Sequence, residues 1–340
     1  MFRSGENGVR VFITGGAGFI GSWIVEKMVE KGYMVTVYDN FSTGLPENLS
    51  NVISKISIIK GDILDYEKLK TSMANHDIVN HQAAQLEIMT AIGEPQKDVR
   101  TNIIGSLNVL KASKELGIKK LIFASSACVY GNLNKYLVKE EDIPQPNWEY
   151  GVSKLAVEKY CDIYAMYEGL NIASLRYSIV YGEREWYGRV LTIFLKRALE
   201  GKKLVIFGEG NNIRDFIHVE DVADVNLLLT EKEWHGHLIL NVSTGIAISI
   251  KELATLVQKI IKELEERDVN IIYEQLREGE YSQYVKGRLR IPRELLIMSL
   301  DSYKLKTMFN WFPKVDLYSG IKREYMWLKG NVNRWKKMSY

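Results

Sequence analysis

The chain has 340 residues, 46% of them hydrophobic and 26% charged, with 45 Lys+Arg against 42 Asp+Glu and two cysteines. That length can bury the core of one large α/β unit or of a nucleotide domain with a smaller partner, and a formal charge of +3 spread over scattered basic residues argues against a nucleic-acid groove. Cys128 and Cys161 fall inside expected ordered elements, which suggests neither a disulfide framework nor a zinc site and fits a reducing compartment.

The lead from Met1 to Arg10 carries charge and glycine without an apolar stretch, and no later segment approaches bilayer length, so a cytoplasmic protein with no membrane partner is expected. The first half then alternates short β-branched runs with longer helical patterns, the signature of parallel strands joined by crossover helices. Strands are predicted at Val9 to Thr14, Met34 to Tyr38, Ile56 to Lys60, Ile78 to His81, Leu121 to Ser125 and Ile172 to Arg176. Helices are predicted at Ile20 to Lys31, Val99 to Leu116 and Tyr150 to Tyr167. Short connections make the sheet doubly wound, a Rossmann-type α/β fold, and put the ligand crevice at the carboxyl ends of its strands.

After about Tyr181 the alternation loosens, with a helix predicted near Val190 to Glu200, a strand at Leu204 to Phe207 and a helix at Ile250 to Glu265. The expected organisation is a doubly wound domain over 1–180 and a smaller α/β substrate-binding lobe over 181–340, with segments free to interleave. Gln275 to Ile297 is rich in Arg, Glu and Tyr without a clear period, and reads as an ordered lid or a surface loop. His235 and His237 lie in a Gly-containing turn and read as a surface pair, so no metal is expected. The basic end around Trp335, Lys336 and Lys337 reads as a solvated terminal helix.

The run Thr14, Gly15, Gly16, Ala17, Gly18, Phe19, Ile20, Gly21 follows a strand and opens a helix, the context that turns a glycine spacing into a phosphate site. Gly15 permits the tight turn, Gly18 lets backbone approach a pyrophosphate, and Gly21 lets helix pack on strand; the helix N-terminus offers N–H groups and a positive dipole end. The next strand ends at Asp39, placed to accept hydrogen bonds from an adenosine ribose. A 2′-phosphate beside Asp39 would be repelled and no Arg follows to compensate, so the cofactor is expected to be NAD and not NADP.

Tyr150 and Lys154 stand four apart at the start of a helix and share one face. Tyr66 with Lys70, Tyr318 with Lys322 and Tyr325 with Lys329 repeat that spacing, so position decides: the Tyr150 helix follows the strand carrying Ser125 and Ser126 and begins near the carboxyl edge of the sheet. Oxidising a secondary alcohol requires removal of the hydroxyl proton as hydride leaves the carbon. A tyrosine near a Lys ammonium can do this as phenolate, and Ser126 can hold the same hydroxyl and pass the proton.

With these residues the chain resembles the extended short-chain dehydrogenase/reductase family, in particular its nucleotide-sugar epimerases and dehydratases. The resemblance runs through the turn at Thr14 to Gly21, Asp39 to Gly44, Gly61 to Ile63, His81 to Gln85, Asn102, Ser125 to Gly131, Tyr150 with Lys154, and Arg176, Tyr177, Val180, Tyr181 and Gly182. It continues at Gly208, Gly210, Arg214, Asp215, Phe216, His218, Val219, Asp221, Asn241, Val242, Thr244 and Gly245. It implies a cofactor site of Gly15, Gly18, Phe19, Ile20, Gly21, Asp39, Asn40, Ser42, Thr43, Gly44, Asp62, Ile63, Ala83, Ala84, Gln85, Asn102, Tyr150, Lys154 and Tyr177, with Asp62 and Ile63 at the adenine. It implies Ser126, Tyr150 and Lys154 as catalytic residues, and a sugar nucleotide, a UDP-sugar favoured, held by Ser126, Tyr150, Val190, Ile206, Gly208, Arg214 and Arg290 or Arg293, the guanidinium fork matching phosphate oxygens. It also implies a homodimer formed through the helices Val99 to Leu116 and Tyr150 to Tyr167.

The family's 4,6-dehydratases place acidic residues after the catalytic Ser or Thr, where this chain has Ala127 and Cys128, so the resemblance points away from dehydration and toward 4-epimerisation, with UDP-glucose/UDP-galactose or the uronates as candidates. Three departures bear on the sugar: Ile179 stands where relatives use Asn, Glu183 where they use Pro, and Arg290 to Ile297 aligns only with a shift. The competing readings are another nucleotide-sugar oxidoreductase, a decarboxylase or dehydratase, and, in a different class, a non-catalytic NAD-binding regulatory or scaffold protein.

Overall fold

The computed structural model describes residues 8–86, 88–185 and 187–335; Lys336 and Lys337 of the expected basic end, and the first seven residues of the lead, lie outside them. The β-branched runs form strands β1 (Arg10–Thr14), β2 (Met34–Asp39), β3 (Ile56–Lys60), β4 (Ile78–His81), β5 (Lys120–Ser126) and β6 (Asn171–Tyr177). With β10 (His237–Val242) they make one seven-stranded sheet in the order β10-β6-β5-β4-β1-β2-β3, parallel at every pairing. Every residue of β4 is buried, as expected of a strand covered on both faces. Alternation along β1 assigns the faces: Val11 and Ile13 pack with Ile24, Val25 and Met28 of the helix Phe19–Glu30, and Phe12 packs on the other side with Leu69, Val109, Leu110 and Val157.

The sheet takes its last strand from residues 237–242, beyond the expected boundary near 181, and the helix Val219–Glu231 that precedes it covers the Val11 face through Ala223 and Leu227. Strand order reverses between β1 and β4, so the connections leaving their carboxyl ends diverge and open a crevice there.

The remaining strands are short. In chain order they are β7 (Ile179–Tyr181), β8 (Leu204–Phe207), β9 (Ile213–His218), β11 (Ala247–Ser249), β12 (Ile271–Glu274) and β13 (Ile297–Met298). β9 is the hub: it pairs with β7, β11 and β13, and β8 pairs separately with β12. The helices Val190–Leu199, Ile250–Glu265 and Leu317–Gly330 enclose a second core of Leu191, Phe194, Val257, Ile260, Ile321 and Leu328. The middle helix opens with a capping box: Ser249 Oγ accepts from Glu252 N at 3.2 Å and Glu252 Oε2 accepts from Ser249 N at 2.8 Å.

Two expectations are corrected here. Trp335 is not solvated: it is buried in the second core, and its indole N–H donates to Leu328 O at 2.7 Å. His237 is not a surface residue: its side chain is 5% exposed, with Nδ1 2.5 Å from Asp162 and Nε2 2.7 Å from Ser174 Oγ, although His235 is exposed. β10 brings its ring onto the edge of β6, where a buried ring needs polar partners.

Candidate active site

A cavity of about 750 Å³ runs along the carboxyl edge of the sheet and continues into the second core's side of the molecule. At one end lies the glycine turn. Gly15 has φ +68°, and a Cβ there would stand 2.6 Å from Ala83 N; a Cβ on Gly21 would stand 2.1 Å from Gly15 O. The turn and the first helix therefore close onto the start of the segment after β4 only because both positions lack a side chain. Phe19 follows directly, so the helix begins with its N–H groups at the cavity wall.

Asp39, at the end of β2, is held where a ribose-binding carboxylate is needed. Its Oδ2 accepts from Ala17 N at 2.9 Å and its Oδ1 from Phe41 N at 2.8 Å, leaving further lone pairs on each oxygen. Burial pushes its pKa up, and the two backbone N–H groups oppose that. Asn40, Ser42, Thr43, Gly44, Asp62 and Ile63 line the same end, where Asn40 Nδ2 donates to Asp62 Oδ2 at 2.9 Å. A tight glycine cradle, a helix N-terminus and a fixed carboxylate at one end of a long cavity fit an NAD dinucleotide, which these residues would hold.

Most of the expected site lines this one space: Gly15, Gly18, Phe19, Ile20, Gly21, Asp39, Ala83, Ala84, Gln85, Ser126, Tyr150, Lys154, Tyr177, Val190, Arg214 and Arg290 all reach it. Three expected residues do not. Asn102 lies behind the wall, fully buried in a π-helical stretch (Val99–Ile104), where it clasps Gln85 by accepting from its N–H at 2.8 Å and donating to its C=O at 2.9 Å. Ile206 faces the second core because side chains alternate along β8, so its neighbours Val205 and Phe207 face the cavity. Gly208 is absent from the wall, and the Arg290 guanidinium lies over it. Of the two arginine candidates, Arg290 enters the cavity, while Arg293 pairs with Glu149 at 3.6 Å outside it.

At the other end of the sheet edge, Tyr150 and Lys154 project from the first turns of the helix Glu149–Glu168 beside Ser126. Lys154 Nζ donates to Ala124 O at 2.8 Å and lies 5.7 Å from the Tyr150 ring centroid. Burial brings its pKa down to about 8, against the pull of Asp98 and Glu158. Burial likewise pushes the Tyr150 phenol far above its ordinary value; Arg189, in the same cavity, is the cation that opposes this. The Lys154 ammonium is turned to a backbone carbonyl beside the Tyr150 ring, and Arg189 is a second cation whose field favours the phenolate. Ser126 Oγ accepts from Cys128 N at 3.1 Å, and its hydroxyl also lies within hydrogen-bonding reach of the Cys128 sulfur.

Ser125 has a different task. Its hydroxyl donates to Glu158 Oε1 at 2.5 Å, and Glu158 receives Arg176 bidentately at 3.0 and 2.6 Å, all three buried. This braces β5, β6 and the Tyr150 helix against one another. The other Tyr–Lys pairs go elsewhere: Tyr66 bonds Glu115, Tyr318 bonds Glu263, and Lys329 pairs with Glu265 away from the cavity.

Sequence reasoning did not single out Glu185, Tyr187, Arg189, Arg288 or Glu294, which also line the cavity. They come from irregular segments whose composition carries no period. Glu294 sits between Arg214 (3.3 Å) and Arg290 (3.7 Å), so the aperiodic stretch Gln275 to Ile297 contributes cavity wall and is not merely a surface loop.

Residues 11–243 match the NAD dependent epimerase/dehydratase family. A protein of Methanocaldococcus jannaschii, provisionally named a UDP-glucose 4-epimerase, is 37% identical over 328 residues, covering 94% of this chain and 99% of the relative. A Thermotoga maritima UDP-glucose 4-epimerase crystallised with UDP-glucose is similar in structure, with a TM-score of 0.82 at 35% identity over 95% of this chain and 100% of that one. A Thermus thermophilus UDP-glucose 4-epimerase in complex with NAD gives a TM-score of 0.83 at 31% identity, again over 95% and 100%.

Proposed function

Because the chain belongs to the NAD dependent epimerase/dehydratase family, we propose that it is an NAD-dependent 4-epimerase of UDP-sugars, interconverting UDP-glucose and UDP-galactose. The observation that carries the reading is one continuous cavity with the glycine turn and Asp39 at one end, Ser126, Tyr150 and Lys154 in the middle, and Arg214 and Arg290 beyond. Ala127 and Cys128, which follow Ser126, provide no carboxyl pair for eliminating water, which favours epimerisation over dehydration.

Bound NAD would supply reversible hydride acceptance at C4 of the sugar. The chain's own residues do the rest. Tyr150 removes the O4 proton and gives it back, Ser126 turns its hydroxyl to donate to the same oxygen, and Lys154 would orient the cofactor from beside Tyr150. Arg214 and Arg290 hold the anionic part of the substrate, so that the keto sugar can turn over while its nucleotide stays anchored. Asn102 acts as a positioning residue, fixing Gln85 at the wall.

The cofactor-binding part spans about 1–180 with the strand at 237–242 added, and the rest forms the substrate-binding lobe. The helices carrying Val99, Ile104, Val152, Ile163, Met166 and Tyr167 leave these apolar side chains exposed, which supports a homodimer through that face. Among the described residues no helix is long and apolar enough to cross a membrane, and the cytoplasm is the proposed compartment. The test is to incubate the purified protein with UDP-glucose, without added NAD, and follow products by NMR. UDP-galactose is expected; an oxidised or dehydrated product, or none, overturns the reading.

A further inference from the structure

Arg189 caps the start of the helix Val190–Leu199 and reaches the cavity with its side chain 23% exposed. Its Nη1 donates to Val180 O at 2.8 Å and lies 3.5 Å from Glu185 Oε1, while its guanidinium stands 5.5 Å from the Tyr187 ring centroid. Nε and Nη2 make no hydrogen bond to any described residue. A planar fork of donors is therefore presented, unused by the protein, to the cavity. A fork of this shape matches two oxygens of a phosphate.

The position along the cavity says which part of a ligand it meets. Arg189 is anchored on Val180, and β7 runs beside β9 with Ile179 opposite Phe216, two residues from Arg214. In the other direction Arg189 acts on both the Cys128 thiol and the Tyr150 phenol, opposing the upward push of burial, whereas Arg214 is felt at Cys128. Arg189 thus stands between the reacting end at Tyr150 and the Arg214–Glu294–Arg290 group. The wall beside it, Ile179 and Val180, offers no side-chain donor. In a sugar nucleotide whose C4 is at Tyr150, what lies between the hexose and the nucleoside is the diphosphate.

We propose that Arg189 is a third diphosphate-binding arginine, its Nε and Nη2 gripping the phosphate next to the sugar while Arg214 and Arg290 take the nucleoside side. This rests on the reading of the cavity as a sugar-nucleotide site but not on which reaction follows. It makes Arg189 a residue that tells nucleoside diphosphates from monophosphates.

The experiment is calorimetric titration of the NAD-loaded protein with UDP, dTDP and GDP, with the corresponding monophosphates and with UDP-glucuronate, for wild type, Arg189→Ala and Arg189→Lys. Loss of a charged hydrogen-bonding pair corresponds to about a ten- to hundredfold weakening. Arg189→Ala is expected to weaken the diphosphate that wild type binds by that factor and to leave its monophosphate unchanged, which also reports that the pocket is folded; Arg189→Lys, keeping charge without the fork, is expected to fall between. Equal weakening of di- and monophosphate, or no weakening of either, overturns the proposal, as does a variant that binds UDP normally and loses only UDP-glucuronate, which would put the guanidinium on a sugar carboxylate. Arg189-dependent diphosphate binding with no epimerisation of UDP-glucose by wild type would sink the proposed reaction and leave this inference standing; a wild type that binds no nucleoside diphosphate would sink both.

Discussion

Lys154 is 2% exposed, and burial takes its pKa from the ordinary 10.5 to about 8. The folded protein therefore releases this proton at lower pH than the unfolded chain, which binds more protons between about pH 8 and 10.5. Stability must rise with pH across that window and be lowest below it. At about 1.36 kcal/mol per pKa unit, the contribution is about 3 kcal/mol. The perturbation is Lys154→Met, which fills the same space without a titrating group; the Nζ bond to Ala124 O is lost at every pH and shifts the whole curve without changing its slope. The assay is denaturant unfolding of protein freed of dinucleotide, from pH 7 to 10.5, for both proteins. The wild-type midpoint should climb relative to the variant by the equivalent of about 3 kcal/mol. Lys196, also brought down to about 8 by burial, is present in both proteins and cancels. Parallel curves would show that Lys154 is not strained by its burial and would refute the reasoning.

Three further substitutions probe other parts of the account. Gly15→Ala puts a side chain at φ +68° and a Cβ 2.6 Å from Ala83 N; the left-handed backbone alone costs about 1–2 kcal/mol, and the purified variant should carry little NAD by absorbance and release assays. Tyr150→Phe removes the proton acceptor and should lower turnover by about 10²–10⁴-fold while bound NAD is retained; full activity would reject Tyr150 as the base. Glu158→Ala leaves Arg176 buried without its partner and Ser125 without an acceptor, so unfolding should be easier by about 3–5 kcal/mol; a loss below about 1 kcal/mol would place the brace elsewhere.

The sheet was legible because its central strands β1, β4, β5 and β6 are largely buried on both faces and read as apolar runs, while the short connections point to a doubly wound sheet. The glycine turn, Asp39 and the Tyr150–Lys154 pair were legible because each sits at a fixed offset from such a strand. What sequence patterns missed depends on geometry they do not encode. Ile206 and Gly208 were assigned to the cavity although alternation along β8 turns Ile206 to the second core. Asn102 acts from one layer back because a π-helical turn aims its side chain at Gln85. The return of residues 237–242 to the main sheet, which buries His237, depends on strand pairing across 65 positions of sequence between His237 and Ile172. Arg189 and Glu294 owe their places to irregular loops, and nothing in their local sequence marks them.

The central claim is that oxidation at C4 is transient and that the hydride returns to the carbon it left, held meanwhile on a cofactor that never leaves. UDP-glucose carrying deuterium at C4, converted in ordinary water without added NAD, tests this most directly by mass spectrometry and NMR of the UDP-galactose formed. The account predicts that deuterium is retained at C4 of the product. Deuterium lost to solvent, or accumulating in free NADH, would contradict it.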